Sequence, residues 1–139
     1  MNKAEAEKLL ADFFARFGKA GFAFEQSNFV KANIGEAVLG FEFREDEQIL
    51  ACHALIYGFQ NVPRPAVLRE IEAAEKNGAE TGGGEIVFDP ENLTLLLVKI
   101  YFKNIELLLF AAQMQKLATA SLIWSSLILD RVAAKSGNI

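Results

Sequence analysis

Gly82 to Lys103, GGGEIVFDPENLTLLLVKIYFK, reads as two strands joined by a tight turn. Ile86, Val87 and Phe88 make a short apolar run, and Leu93 to Phe102 makes a long β-rich one. Between them Asp89-Pro90-Glu91-Asn92 is a turn, because Pro90 fixes φ where a type I turn needs it and Asp89 can accept from the turn's own backbone. In the second run Leu95 and Leu97 point one way, Leu96 and Val98 the other, so the strand is apolar on both faces. Past Lys99 it alternates, with Lys99, Tyr101 and Lys103 opposite Ile100 and Phe102. A strand of this kind predicts a central or interface position with other elements on either side.

Outward from this hairpin, composition sets the class. A chain of 139 residues is expected to fold as one domain, 1–139, with a core that needs neither metal nor disulfide. Hydrophobic residues make up 52% and twelve are Phe, so the chain has either a generous core or apolar surface kept for a partner. A net charge of −4 argues against nucleic acid or an anionic membrane as the main partner. The single Cys52 excludes an internal disulfide and suits a reducing cytoplasm. The start, MNKAEAEKLL, does not read as a signal peptide, and the uncharged run Leu117 to Leu129 is too short to span a bilayer; no membrane insertion is expected.

In chain order, Asn2 to Phe17 is an amphipathic helix with Leu9, Leu10, Phe13, Phe14 and Phe17 on one stripe, ended by Gly18. Phe22 to Lys31 reads as a weakly patterned first strand at an edge, with Phe22, Phe24 and Val30 on one face and Phe29 on the other. Glu36 to Arg44 alternates cleanly, with Ala37, Leu39, Phe41 and Phe43 inward, and Ile49 to Phe59 is apolar on both faces. These three strands predict an antiparallel meander. Pro63 and Pro65 break the sheet, and Pro65 opens a second helix, Ala66 to Lys76, whose greasy stripe of Val67, Leu68, Ile71 and Ala74 is narrow. Gly82-Gly83-Gly84 reads as a flexible turn. Asn104 is the expected N-cap of a last helix running to about Ala134, with Phe110, Met114, Leu117, Ser121, Trp124 and Ile128 on one stripe and Leu108, Ala111, Ala118, Leu122, Leu129 and Val132 on another. Such a helix is longer than this domain can cover. Either it breaks near Ala118–Ser121 or its end packs on a second subunit.

The parts of an active site are missing. His53 follows Cys52 directly, so on a strand the two point to opposite faces and cannot act as a pair. Neither has a second ligand of the usual kind, so no metal is expected, and Glu45-Asp46-Glu47 is a solvated hairpin loop. The glycine run leads into a strand and lacks the Lys-Ser/Thr of a phosphate loop. No carboxylates pair by spacing, and there is no nucleophile motif or dinucleotide fingerprint. The expectation is a small α+β binding protein, not an enzyme, with no cofactor.

Several local features go further. The first helix carries Leu9-Leu10-x-x-Phe13. A Pro-led second helix ends at Asn77 and is followed by Thr81-Gly82-Gly83-Gly84, Ile86, Asp89 and Leu93-x-Leu95, and the last helix has Phe110 and Trp124. With the order α-β-β-β-α-β-β-α, this resembles the class I type III secretion chaperones, the Tir-chaperone-like family. Their end of the second helix is usually more apolar than Ala73-Ala74-Glu75-Lys76. The resemblance implies an antiparallel sheet packed with helices. It also implies a cytoplasmic homodimer built mainly through the second helix and neighbouring strands, and a client protein, an extended effector segment, wrapped over the first helix and first sheet strands. On that basis Phe22, Phe24 and Phe29 are the expected partner-binding residues, and Leu68 and Ile71 the expected dimer contacts. The alternatives are an orphan of the same fold acting as a regulatory or neutralising protein-binding module, or a small-molecule binder between sheet and last helix.

Overall fold

A computed structural model describes residues 1–18, 24, 26–78 and 80–136. The elements run α1 (Lys3–Ala15), β1 (Phe29–Ile34), β2 (Ala37–Arg44), β3 (Ile49–Gly58), α2 (Pro65–Lys76), β4 (Glu85–Asp89), β5 (Thr94–Tyr101) and α3 (Leu107–Ser136). All strand pairs are antiparallel and the spatial order is β1-β2-β3-β5-β4, so the meander and the opening hairpin join along β3 and β5.

Alternation decides which side of the sheet is covered. Leu39, Phe41 and Phe43 on β2 stand opposite Ala54, Cys52 and Leu50 on β3, and Cys52 and Ala54 stand opposite Lys99 and Leu97 on β5. Apart from Lys99, these residues face the helices together with Leu95 and Tyr101 and form one buried core. Helix α1 enters it through Leu9, Leu10, Phe13 and Phe14, and α3 through Phe110, Met114, Leu117, Trp124 and Ile128. Edge-to-face rings tie the layers together: Phe13 is 5.2 Å from Phe110 and 5.9 Å from Phe41, and Tyr101 is 5.3 Å from Phe110. The space between sheet and last helix is thus filled by side chains.

Local chemistry explains most boundaries. Asn2 and Glu5 form a reciprocal capping box at the start of α1, and Gly18 follows its end at φ 78°. Asp89 Oδ1 accepts from the amides of Glu91 and Asn92 in the β4–β5 turn. Arg44 and Lys3 pair with Glu47 and Glu45 of the acidic β2–β3 loop.

Four expectations are corrected. The first strand begins at Phe29, not Phe22, because Asn28 takes a left-handed conformation (φ 54°) that interrupts an extended chain. Asn104 does not cap α3: its side chain accepts from the next amide, and the helix starts at Leu107. The glycine turn is packed against α3. A Cβ on Gly82 would come within 2.6 Å of the Lys116 carbonyl oxygen, and one on Gly84 within 2.9 Å of Leu117 Cδ1. Glycine is required there for close approach of backbones, and the Trp124 indole clamps the turn by donating to the Glu80 carbonyl at 2.7 Å. Finally, α3 does not break at Ala118–Ser121. Ser121 Oγ donates back to the Ala118 carbonyl at 2.7 Å and the helix continues through thirty residues.

Candidate functional site: the open face of the sheet

The three helices pack into the core on one side of the sheet; among the described residues no element lies across the other. The open face is built by the residues that alternate with the core. From β1 come Phe29 and Lys31, from β2 Val38, Gly40, Glu42 and Arg44, from β3 Ala51, His53 and Leu55, and from β5 and β4 Leu96, Val98, Ile100 and Val87. It carries more apolar surface than a solvated sheet face needs. Val87 and Ile100 are exposed, as is Phe102 just beyond the strand, which is 67% accessible.

A depression of about 460 Å³ on this face is lined by Phe29, Gly40, His53, Asp89, Leu96 and their neighbours. The Phe29 ring lies over Gly40, where a Cβ would sit 3.1 Å from Phe29 Cε2, and it leans on His53 with centroids 6.5 Å apart. Thus Phe29 is half-buried with one side of its ring fixed by the sheet, a rigid apolar platform. The polar rim is ordered too, with Arg44 Nε 2.8 Å from Glu42 Oε1.

Burial holds the His53 imidazole below its usual pKa, opposed by the Glu42 carboxylate, so the ring is neutral at pH 7. Asp89 is held low by its hydrogen bond from the Asn92 side chain. On the other face burial pushes the Cys52 thiol well above the ordinary range, and it stays protonated. Burial also raises the Tyr101 phenol, whose hydroxyl donates to Gln113 at 2.6 Å. Cys52 and His53 therefore lie on opposite sides of the sheet. Among the described residues no three His, Cys, Asp or Glu side chains gather as metal ligands. The arrangement offers apolar contact and backbone pairing.

The backbone pairing is available at the sheet's first edge. No described strand pairs with the outer side of β1. The opposite edge is partly occupied, since the Ile86 amide of β4 donates to Glu75 Oε2 of α2 at 3.3 Å.

The expected partner residues separate in the structure. Phe22 lies outside the described residues. Phe24, expected on an exposed strand, is in the core at 9% accessibility, its ring 6.3 Å from Phe43, because the turn at Asn28 places it off the strand. Phe29 is on the open face. Of the expected dimer contacts, Ile71 is 3% accessible inside its own protomer's core, and Leu68 is half-buried beside it. Helix α2 is further held by Arg131 Nη1 on Glu70 Oε2 at 3.4 Å. The residues that sequence reasoning passed over are Val87, Leu96, Val98 and Ile100. For the last three the signal is the two-sided apolarity of β5, which predicts an element on each face of the strand.

No family model matches the sequence, and no curated protein does. Solved structures do match it. A chain of the ExsC–ExsE complex superposes with a TM-score of 0.74 at 16% identity, over 92% of this chain and 97% of that one. A chain of the HopA1–SchA chaperone–effector complex gives 0.67 at 13% identity, over 89% and 95%. One of the heterodimeric ExoU–SpcU complex from the type III secretion system of Pseudomonas aeruginosa gives 0.59 at 12% identity, over 85% and 96%. The order of elements, the five-stranded antiparallel sheet and these superpositions along nearly the whole chain agree: the protein has the α+β fold of the type III secretion chaperones.

Proposed function

We propose that this protein is a non-catalytic, cytoplasmic chaperone that works as a homodimer and holds an extended segment of a client protein destined for secretion. The observation that carries the reading is the open sheet face, where Phe29, Leu96, Val98 and Ile100 stand around Glu42 and His53, bordered by an edge of β1 with which no described strand pairs. An extended segment can add as a strand beside β1 through main-chain hydrogen bonds, while alternate side chains lie on the Phe29 platform. This capture needs no nucleotide, metal or covalent step, in keeping with the inert Cys52 and the neutral His53. The superposition with a chain of a chaperone–effector complex supports a protein client. Helix α3 is long and apolar enough to cross a membrane by length and composition, but its buried stripe from Phe110 to Ile128 is committed to the sheet.

The test is a pull-down from the native host, followed by light scattering and limited proteolysis of the captured complex. The reading expects a stoichiometric partner whose protected part is an unfolded-type segment, and expects Phe29→Ser to release it while the fold stays intact. A partner bound equally well by Phe29→Ser and by proteins altered along β1 would refute the site.

A further inference from the structure

The outer side of α3 is unlike an ordinary solvated helix face. From Leu107 to Asp130 the helix carries two charged residues, Lys116 and Asp130. On the side away from the sheet Leu108, Leu109, Leu122, Ile123, Leu127 and Leu129 are all exposed, interrupted only by small or uncharged side chains and Lys116. Leu108, Leu122 and Leu129, with Gln115 between the first two, repeat every seven residues, as do Leu109, Lys116, Ile123 and Asp130. A repeat of seven keeps a stripe facing a neighbouring helix along its length. The helix spans about 45 Å, so the stripe is long as well as apolar.

The two charges say what fits it. Lys116 and Asp130 lie seven residues on either side of Ile123, in one column on the exposed face, and among the described residues neither is in an ion pair. A second copy of α3 laid antiparallel about a two-fold axis at Ile123 sets each Lys116 opposite the other copy's Asp130. A parallel arrangement would set like charges together. The stripe is self-complementary in the antiparallel sense, as a two-fold interface requires.

We infer that two copies of this chain associate through an antiparallel seam of their α3 helices, centred on Ile123 and bordered by reciprocal Lys116–Asp130 pairs. This rests on the homodimer in the proposed function and moves its interface from α2, where Ile71 is already committed to its own core, to α3. The client-binding sheet faces then lie on the outer sides of the dimer, since α3 packs on the opposite face of each sheet.

The test uses the full chain. Helices packed 8–10 Å apart bring facing Cα atoms to within roughly 4–6 Å, the range a disulfide spans. Ile123→Cys is therefore expected to give an oxidised dimer nearly quantitatively, while Leu108→Cys, far from the axis, gives none; the native Cys52 is buried and stays silent. Lys116→Asp should weaken dimerisation about five- to tenfold in sedimentation equilibrium, and Lys116→Asp with Asp130→Lys should restore it to within about threefold. A wild-type protein that is monomeric at all concentrations overturns both the homodimer and the seam. A wild-type dimer with no Ile123→Cys cross-link and no charge-swap rescue overturns the seam alone. If Leu122→Gln with Leu127→Gln abolishes client capture and leaves the dimer intact, the stripe belongs to the client and the seam is wrong. If the same change abolishes binding to anionic vesicles and leaves the dimer intact, the stripe belongs to a membrane surface and the seam is again wrong.

Discussion

On the helix side of the sheet Leu39, Phe41, Leu50, Leu95 and Leu97 are sealed beneath α1 and α3; on the other side Phe29, Leu96, Val98 and Ile100 stand with no described element across them. Both sides come from the same strands, one residue out of step. The helix side is packed as a jigsaw of rings and branched chains, where every methyl group has neighbours. Around Phe29 the open side is apolar without being closely packed, and the Phe29 ring is held by Gly40 and His53. A fold needs one buried face. The second apolar face contributes little to the stability of the isolated chain and becomes useful when something lies on it.

That contrast can be broken or sharpened by substitution. The largest effect is expected on the helix side: Phe110→Ala removes a buried ring at the junction of α1, the sheet and α3, and should lower unfolding free energy by about 3–5 kcal/mol in a urea titration. Loss of less than about 1 kcal/mol would mean that this face is not the core. Next is Gly82→Ala, which drives a methyl group toward the Lys116 carbonyl at a position with φ 65° and should cost about 1–3 kcal/mol. A neutral outcome would return it to the flexible turn that its three glycines suggest. Phe29→Ala, on the open face, should cost no more than about 1 kcal/mol while abolishing client capture; a large loss of stability with binding kept would erase the difference between the faces.

The smallest effect is in pH. Because burial lowers the His53 pKa, the unfolded chain binds a proton more readily than the folded one. The contribution of His53 is therefore fully present above its ordinary pKa of about 6.5 and is lost as pH falls through the folded value. Comparing wild type with His53→Gln between pH 7.5 and 4.5 should show a steeper acid loss in the wild type. Equal slopes would place the imidazole in bulk solvent.

Much of the fold was legible because its signals are local. The apolar stripe of α1, the Pro-led α2, the Asp89-Pro90 turn and the strict alternation of Ala37 to Phe43 each act within a few residues. The misreadings concern what lies across the fold. Gly82-Gly83-Gly84 looked like a flexible turn because the reason for glycine, the backbone of α3 at Lys116 and Leu117, is more than thirty residues away in sequence. Phe24 looked like a strand residue because one left-handed residue, Asn28, is invisible to a period-two pattern. The site was half legible for the same reason. Two apolar faces on β5 announce that the strand meets something on each side, but not whether that something is part of the same chain. Phe29 was singled out in the sequence and lies on the open face; Leu96, Val98 and Ile100, on the same face, were not singled out.

The account turns on capture at the open face and the β1 edge, and amide hydrogen exchange with and without the bound client reads both directly. It predicts new protection across Phe29–Ile34 and at the open-face strands, with α1 and the core-facing stripe of α3 unchanged. Protection confined to the helices, with β1 exchanging as before, would contradict it.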